Sequence, residues 1–74
     1  MKKIGAKDIN GIELFDGDKV LPFGFNKKVF YGIIFWNKKR LGWDIAINGD
    51  FSRTVSESNE GKLYIDDFNR CTKL

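Results

Sequence analysis

Histidine is absent from this 74-residue sequence, and cysteine, proline and methionine occur once each. Without histidine no Ser-His-Asp or Cys-His catalytic arrangement can be built. One cysteine cannot form an internal disulfide framework, and a structural zinc site needs about four Cys or His ligands. No run approaches the ~20 apolar residues of a membrane-spanning helix. The basic start Met1-Lys2-Lys3 is followed by no apolar stretch of the kind a secretory signal carries. A lone thiol, Cys71, without such a leader points to the cytoplasm of the producing cell. The sequence thus predicts no enzyme, cofactor, metal or membrane partner.

Aromatic residues are what the chain has in excess: seven Phe, two Trp and two Tyr, 15% of the sequence. A domain this short buries only ~60% of the surface its unfolded chain exposes. Large rings, each burying ~150–250 Å², can compensate. Rings left outside that core form an interface instead.

The net charge is +3, from 13 basic and 10 acidic side chains. The excess lies in the first two-thirds of the chain. It is weaker than the one-sided basic patch of a dedicated nucleic-acid binder.

Eight glycines and repeated Asn-Gly or Asp-Gly pairs punctuate short apolar runs, the pattern of an all-β fold. Asp16-Gly17-Asp18 predicts a tight turn with Gly17 at positive φ. Pro22 ends the strand before it or places it at an edge. The run 29–36 is β-branched and aromatic on both faces and reads as a central strand. Leu41, Trp43, Ile45 and Ile47 then alternate with Gly42, Asp44 and Ala46, which predicts an amphipathic strand that forms a hairpin with the preceding run. Asn48-Gly49 is a hairpin-turn signal. Further short strands are predicted at 51–55 and 62–65, with 68–74 closing the sheet. The expectation is one β domain over 1–74 with five to six short antiparallel strands and at most one helical turn. It forms either a small SH3-like barrel or a strongly bent meander.

The segment Lys7-Asp8-Ile9-Asn10-Gly11-Ile12-Glu13-Leu14-Phe15-Asp16-Gly17-Asp18-Lys19-Val20 resembles the opening of the YopX-like family of small phage and prophage proteins. Tyr31-Gly32-Ile33-Ile34-Phe35-Trp36 with Gly42-Trp43 resembles that family's central hairpin. Tyr64-Ile65-Asp66-Asp67-Phe68-Asn69-Arg70-Cys71 resembles its final stretch. The family continues past the cysteine with an Ile-Gly-Asn element and an Asn-Pro pair. This sequence lacks both, so functions the family places in that tail are not expected here. The resemblance implies a β-rich, phage-encoded accessory protein in a bacterial cytoplasm, and no reaction.

Three binding modes fit these residues. The first is a host protein as partner, with the chain acting as a stoichiometric inhibitor or modulator of the anti-defence type, anti-CRISPR proteins included. Phe30, Trp36 and Trp43 would be its anchors, and Lys38, Lys39 and Arg40 its charged rim. The second is nucleic acid, contacted by Lys27, Lys28, Lys38, Lys39 and Arg40. These two basic clusters lie roughly 25 Å apart at ~3.3 Å per residue along the strand between them. The third is a homo-oligomer assembled through the aromatics. Trp36 or Phe30 is expected to be partly exposed, because a small core cannot cover both faces of the 29–36 run. Glu13, Asp16 and Asp18 sit in a Gly-centred turn, where carboxylates serve conformation more than chemistry.

Overall fold

Gly17 takes φ +89, as its turn requires, and delivers the chain from one short strand into the next. The computed structural model describes residues 2–22 and 30–74. Its strands are β1 (Lys3–Lys7), β2 (Glu13–Phe15), β3 (Lys19–Leu21), β4 (Gly32–Asn37), β5 (Gly42–Ile47), β6 (Asp50–Thr54) and β7 (Thr72–Lys73). A single-turn helix α1 (Val55–Ser58) follows β6, and a 3-10 helix spans Ile65–Arg70.

The fold is all-β, with every strand pair antiparallel. β1 and β2 form a two-stranded ribbon, and the other strands form a sheet in the order β6-β5-β4-β3-β7. That sheet has two ends, so the barrel expected as one alternative is not closed. The described strands number seven rather than five or six, and there are two short helical segments rather than one. The run 62–65 is not a strand. The Asp67 carboxylate takes the Tyr64 N–H at 2.8 Å, which starts the 3-10 helix there instead. The helix ends at Arg70, and the closing segment shortens to β7, which pairs Thr72 with Leu21 and Lys73 with Val20.

The β4–β5 hairpin is continuous from Gly32 opposite Ile47 to Asn37 opposite Gly42. Asn48 and Gly49 turn β5 into β6 with φ values of 54 and 75, the positive pair that a two-residue hairpin favours. Opposite β5, Thr54 pairs with Ala46 while Asp50 pairs with Ile47, so residues 51–53 bulge out of the ladder.

The core lies on one face of the hairpin. Ile34 and Ile45 meet Leu14, Val20, Leu63, Phe68 and Cys71 there, with Ile4 and Ala6 of β1 closing the side. Phe68 holds the centre of the 3-10 helix at 1% exposure. Burying a ring so fully contributes about 3 kcal/mol. Asp8 fastens the two ends of the chain. One carboxylate oxygen accepts the Asn10 and Ile12 N–H groups at 2.9 and 2.8 Å, and the other accepts the Lys73 N–H at 2.9 Å. The Ile9 N–H meanwhile reaches the Cys71 carbonyl at 2.8 Å.

Candidate functional site

Of the aromatic side chains among the described residues, only Phe68 is buried. Full burial therefore accounts for one ring; Phe15, Phe30, Tyr31, Phe35 and Trp43 are half-buried, and Trp36, Phe51 and Tyr64 are exposed. Five of them form two groups, one on each face of the β4–β5 hairpin.

The first group lies at the hairpin's loop end. Trp36 and Trp43 stand directly opposite each other in register, with ring centroids 5.2 Å apart and planes at 81°. This edge-to-face geometry is favoured by the ring quadrupoles. Trp43 packs partly against the core, whereas Trp36 is 45% exposed. The Lys2 ammonium stands 5.9 Å from the Trp43 centroid. Lys38 and Lys39 are exposed in the loop beside them.

Arg40 has a different role from its loop neighbours. Its guanidinium donates to the carbonyls of Trp43 and Leu63, each at 2.6 Å. It braces the hairpin against the segment entering the 3-10 helix, and both of its terminal nitrogens are engaged there. Phe30 is half-buried and precedes β4 at the strand's opposite end, so it does not join the Trp36–Trp43 cluster. Lys27 and Lys28 lie outside the described residues. Trp36, Trp43, Lys38 and Lys39 thus share the loop end of the hairpin, Arg40 is bonded there to the Trp43 carbonyl, and Phe30 lies at the other end of β4.

The second group lies on the hairpin's other face. Phe35 and Phe51 meet edge-on at 4.9 Å, and the Lys19 ammonium lies 4.6 Å from the Tyr31 ring. The Tyr31 hydroxyl donates to the Asn48 carbonyl at 3.1 Å. This face also carries Asp44, which shares the side of β5 opposite Trp43 and Ile45 and is fully buried. Its carboxylate receives the side-chain amide of Asn37 at 2.9 Å, the Ile45 N–H at 2.8 Å, the Ser56 N–H at 3.2 Å and the Ser56 hydroxyl. Burial alone would raise the Asp44 pKa. The donors from Ser56, Asn37 and the backbone outweigh it and hold the carboxyl below its ordinary value. Asp8 is lowered likewise, chiefly by the Lys73 N–H.

Both carboxylates accept hydrogen bonds that tie separate segments of the fold together. The acidic residues of the first turn are also engaged separately. Asp18 accepts the Phe15 N–H at 2.8 Å and pairs with Lys73 at 3.1 Å, while Glu13 pairs with Lys3 at 3.4 Å. Among the described residues no group of three or more His, Cys, Asp or Glu side chains is placed to hold a metal ion. No described helix is long and apolar enough to cross a membrane.

The sequence reading missed Leu41 and Ile65. They line a groove of about 210 Å³ between the hairpin loop and the 3-10 helix, together with Arg40, Trp43, Leu63 and Phe68. Leu41 is 76% exposed and Ile65 is 44% exposed. The signal for Leu41 was its place in the Leu41-Trp43-Ile45 alternation, whose outermost member has no core to join. Ile65 gave none, because its segment reads as a strand. No family model, curated protein or solved structure matches this chain.

Proposed function

We propose that this domain is a phage- or prophage-encoded accessory protein that binds one host protein and inhibits or modulates it stoichiometrically, without chemistry of its own. The observation that carries the proposal is that Phe68 alone is fully buried among the described aromatics, while Trp36 stands 45% exposed. A partner can use such rings as anchors, since exposed Trp and Tyr are enriched among residues that dominate protein interfaces. Trp36 is the principal anchor, Trp43 supports it, and Lys38 and Lys39 form the charged rim. The resemblance to YopX-like proteins supplies the phage setting.

Nucleic acid is the weaker alternative. Arg40, the strongest phosphate-binding residue in the basic loop, has both terminal nitrogens on backbone carbonyls.

Affinity capture from bacterial lysate, with and without nuclease, tests the proposal. A discrete protein retained in both samples and lost with Trp36→Ala supports it. Recovery that disappears with nuclease and weakens steeply with salt transfers the function to nucleic acid.

A further inference from the structure

Along β5 and into the loop residue that precedes it, the apolar positions lose their cover. Ile45 is 1% exposed, Trp43 is half-buried and Leu41 is 76% exposed. The apolar stripe therefore runs out of the core and into the groove walled by Leu41 and Ile65, whose floor is Leu63 and Phe68. The groove's volume, about 210 Å³, suits one large apolar side chain.

Two observations indicate that the groove is built for an occupant. Leu41 takes φ +54, a left-handed conformation that costs an L-residue about 1–2 kcal/mol and that Gly or Asn would adopt more readily. An exposed leucine at a strained position serves the fold poorly. Arg40 bonds to the carbonyls of Trp43 and Leu63, fixing the start of β5 against the groove floor.

The surrounding charge selects the occupant. Lys38 and Lys39 precede Leu41 in the loop, Lys62 precedes Leu63, and the Lys2 ammonium stands over Trp43. Against these lysines stand Asp66, which is exposed, and Asp67, whose carboxylate is already engaged by the Tyr64 N–H.

We infer that this groove receives one large apolar side chain from an acidic segment of a partner protein, with flanking Asp or Glu residues meeting the lysine rim. The inference rests on the protein-binding function proposed above and assigns it a docking point and a partner chemistry.

Selection of a random-peptide display library on the folded protein tests it directly. The enriched peptides should carry one large apolar residue flanked by Asp or Glu. A synthetic peptide of that sequence should bind about tenfold or more weakly to Leu41→Ala, the loss typical of removing an interface anchor. It should bind Phe51→Ala, altered on the far face, as it binds the parent. Absence of enrichment, a consensus without acidic residues, or equal binding by Leu41→Ala overturns the inference. So does displacement of the peptide by a DNA oligonucleotide at equal concentration, or a concentration-dependent mass that Leu41→Ala abolishes. Lysate capture separates the two proposals. A host protein lost with Trp36→Ala but retained by Leu41→Ala removes the groove and leaves the broader function standing. Selective binding of the acidic peptide with no host protein captured does the reverse.

Discussion

The Ser56 hydroxyl donates to one oxygen of the Asp44 carboxylate while the Ser56 N–H donates to the other. This paired contact fixes where β6 turns into α1, and the Asn37 amide links it to the base of the hairpin loop. The buried carboxylate thus connects the sheet edge to the end of the hairpin that carries Trp36.

Asp44→Asn replaces one accepting oxygen with a donor and leaves two of the present donors without an acceptor. Hydrogen bonds to a charged group are worth ~1.5–3 kcal/mol each, so a loss of about 3 kcal/mol or more is expected. Urea unfolding should show a lower midpoint at unchanged slope. An unchanged midpoint would assign Asp44 no structural role.

Stability should be flat between pH 5 and 8, because no histidine is present to titrate there. It should fall in acid. Asp8 and Asp44 have folded-state pKa values below the ordinary carboxylate value. Their stabilisation is therefore complete above the unfolded value of about 3.9 and is lost as pH falls through the lower folded values. Thermal melts across pH 2–7 check this, and Asp8→Asn should reduce the acid dependence by removing one of these groups.

Gly32→Ala should destabilise the protein by about 1–3 kcal/mol, the usual cost of overpacking. A Cβ at Gly32 would lie 2.1 Å from Cγ2 of Ile45, itself 1% exposed. For a domain of this size such a loss lowers Tm by several degrees per kcal/mol. A melt unchanged from the parent would show that Ile45 can move aside.

Leu41→Asn should stabilise the fold by about 0.5–1 kcal/mol, since Asn accepts positive φ more readily than Leu. Chemical denaturation measures the gain. A destabilised Leu41→Asn would mean that the leucine contributes to the fold itself.

Trp36 alone, left by Trp43→Phe, should be quenched by iodide more strongly than Trp43 alone, left by Trp36→Phe. The 45% exposure of Trp36 against the partial packing of Trp43 sets the order. Equal quenching would contradict the placement of Trp36 as the outer ring.

The turns and the hairpin were legible because glycine and asparagine mark them chemically. Asn48-Gly49 and Asp16-Gly17 fall where positive φ is needed, and the hairpin between Gly32 and Ile47 follows from its apolar runs. β1 was not legible. Only Ile4 and Ala6 alternate with Lys and Gly there, too small an apolar signal to register as a strand. The 3-10 helix was hidden because the Asp67–Tyr64 contact that starts it leaves no periodic trace. At the candidate site, Trp36, Trp43 and the lysines could be read from the sequence. Arg40 looked like one more cation until its two carbonyl partners were seen, and a lone Asp44 on a polar strand face gave no sign of Ser56 folding over it.

The two ends of the main sheet also bear on how the protein behaves in a crowded cell. At one end the bulge at 51–53 breaks the ladder, with Ser52 turned back onto Asp50. At the other, the outward N–H of Lys73 is already taken by Asp8. Neither rim offers the flat row of open amide groups on which a foreign strand can zip up and seed fibrils. Such capped rims disfavour strand-by-strand association through the main sheet, while Trp36 and Leu41 remain exposed.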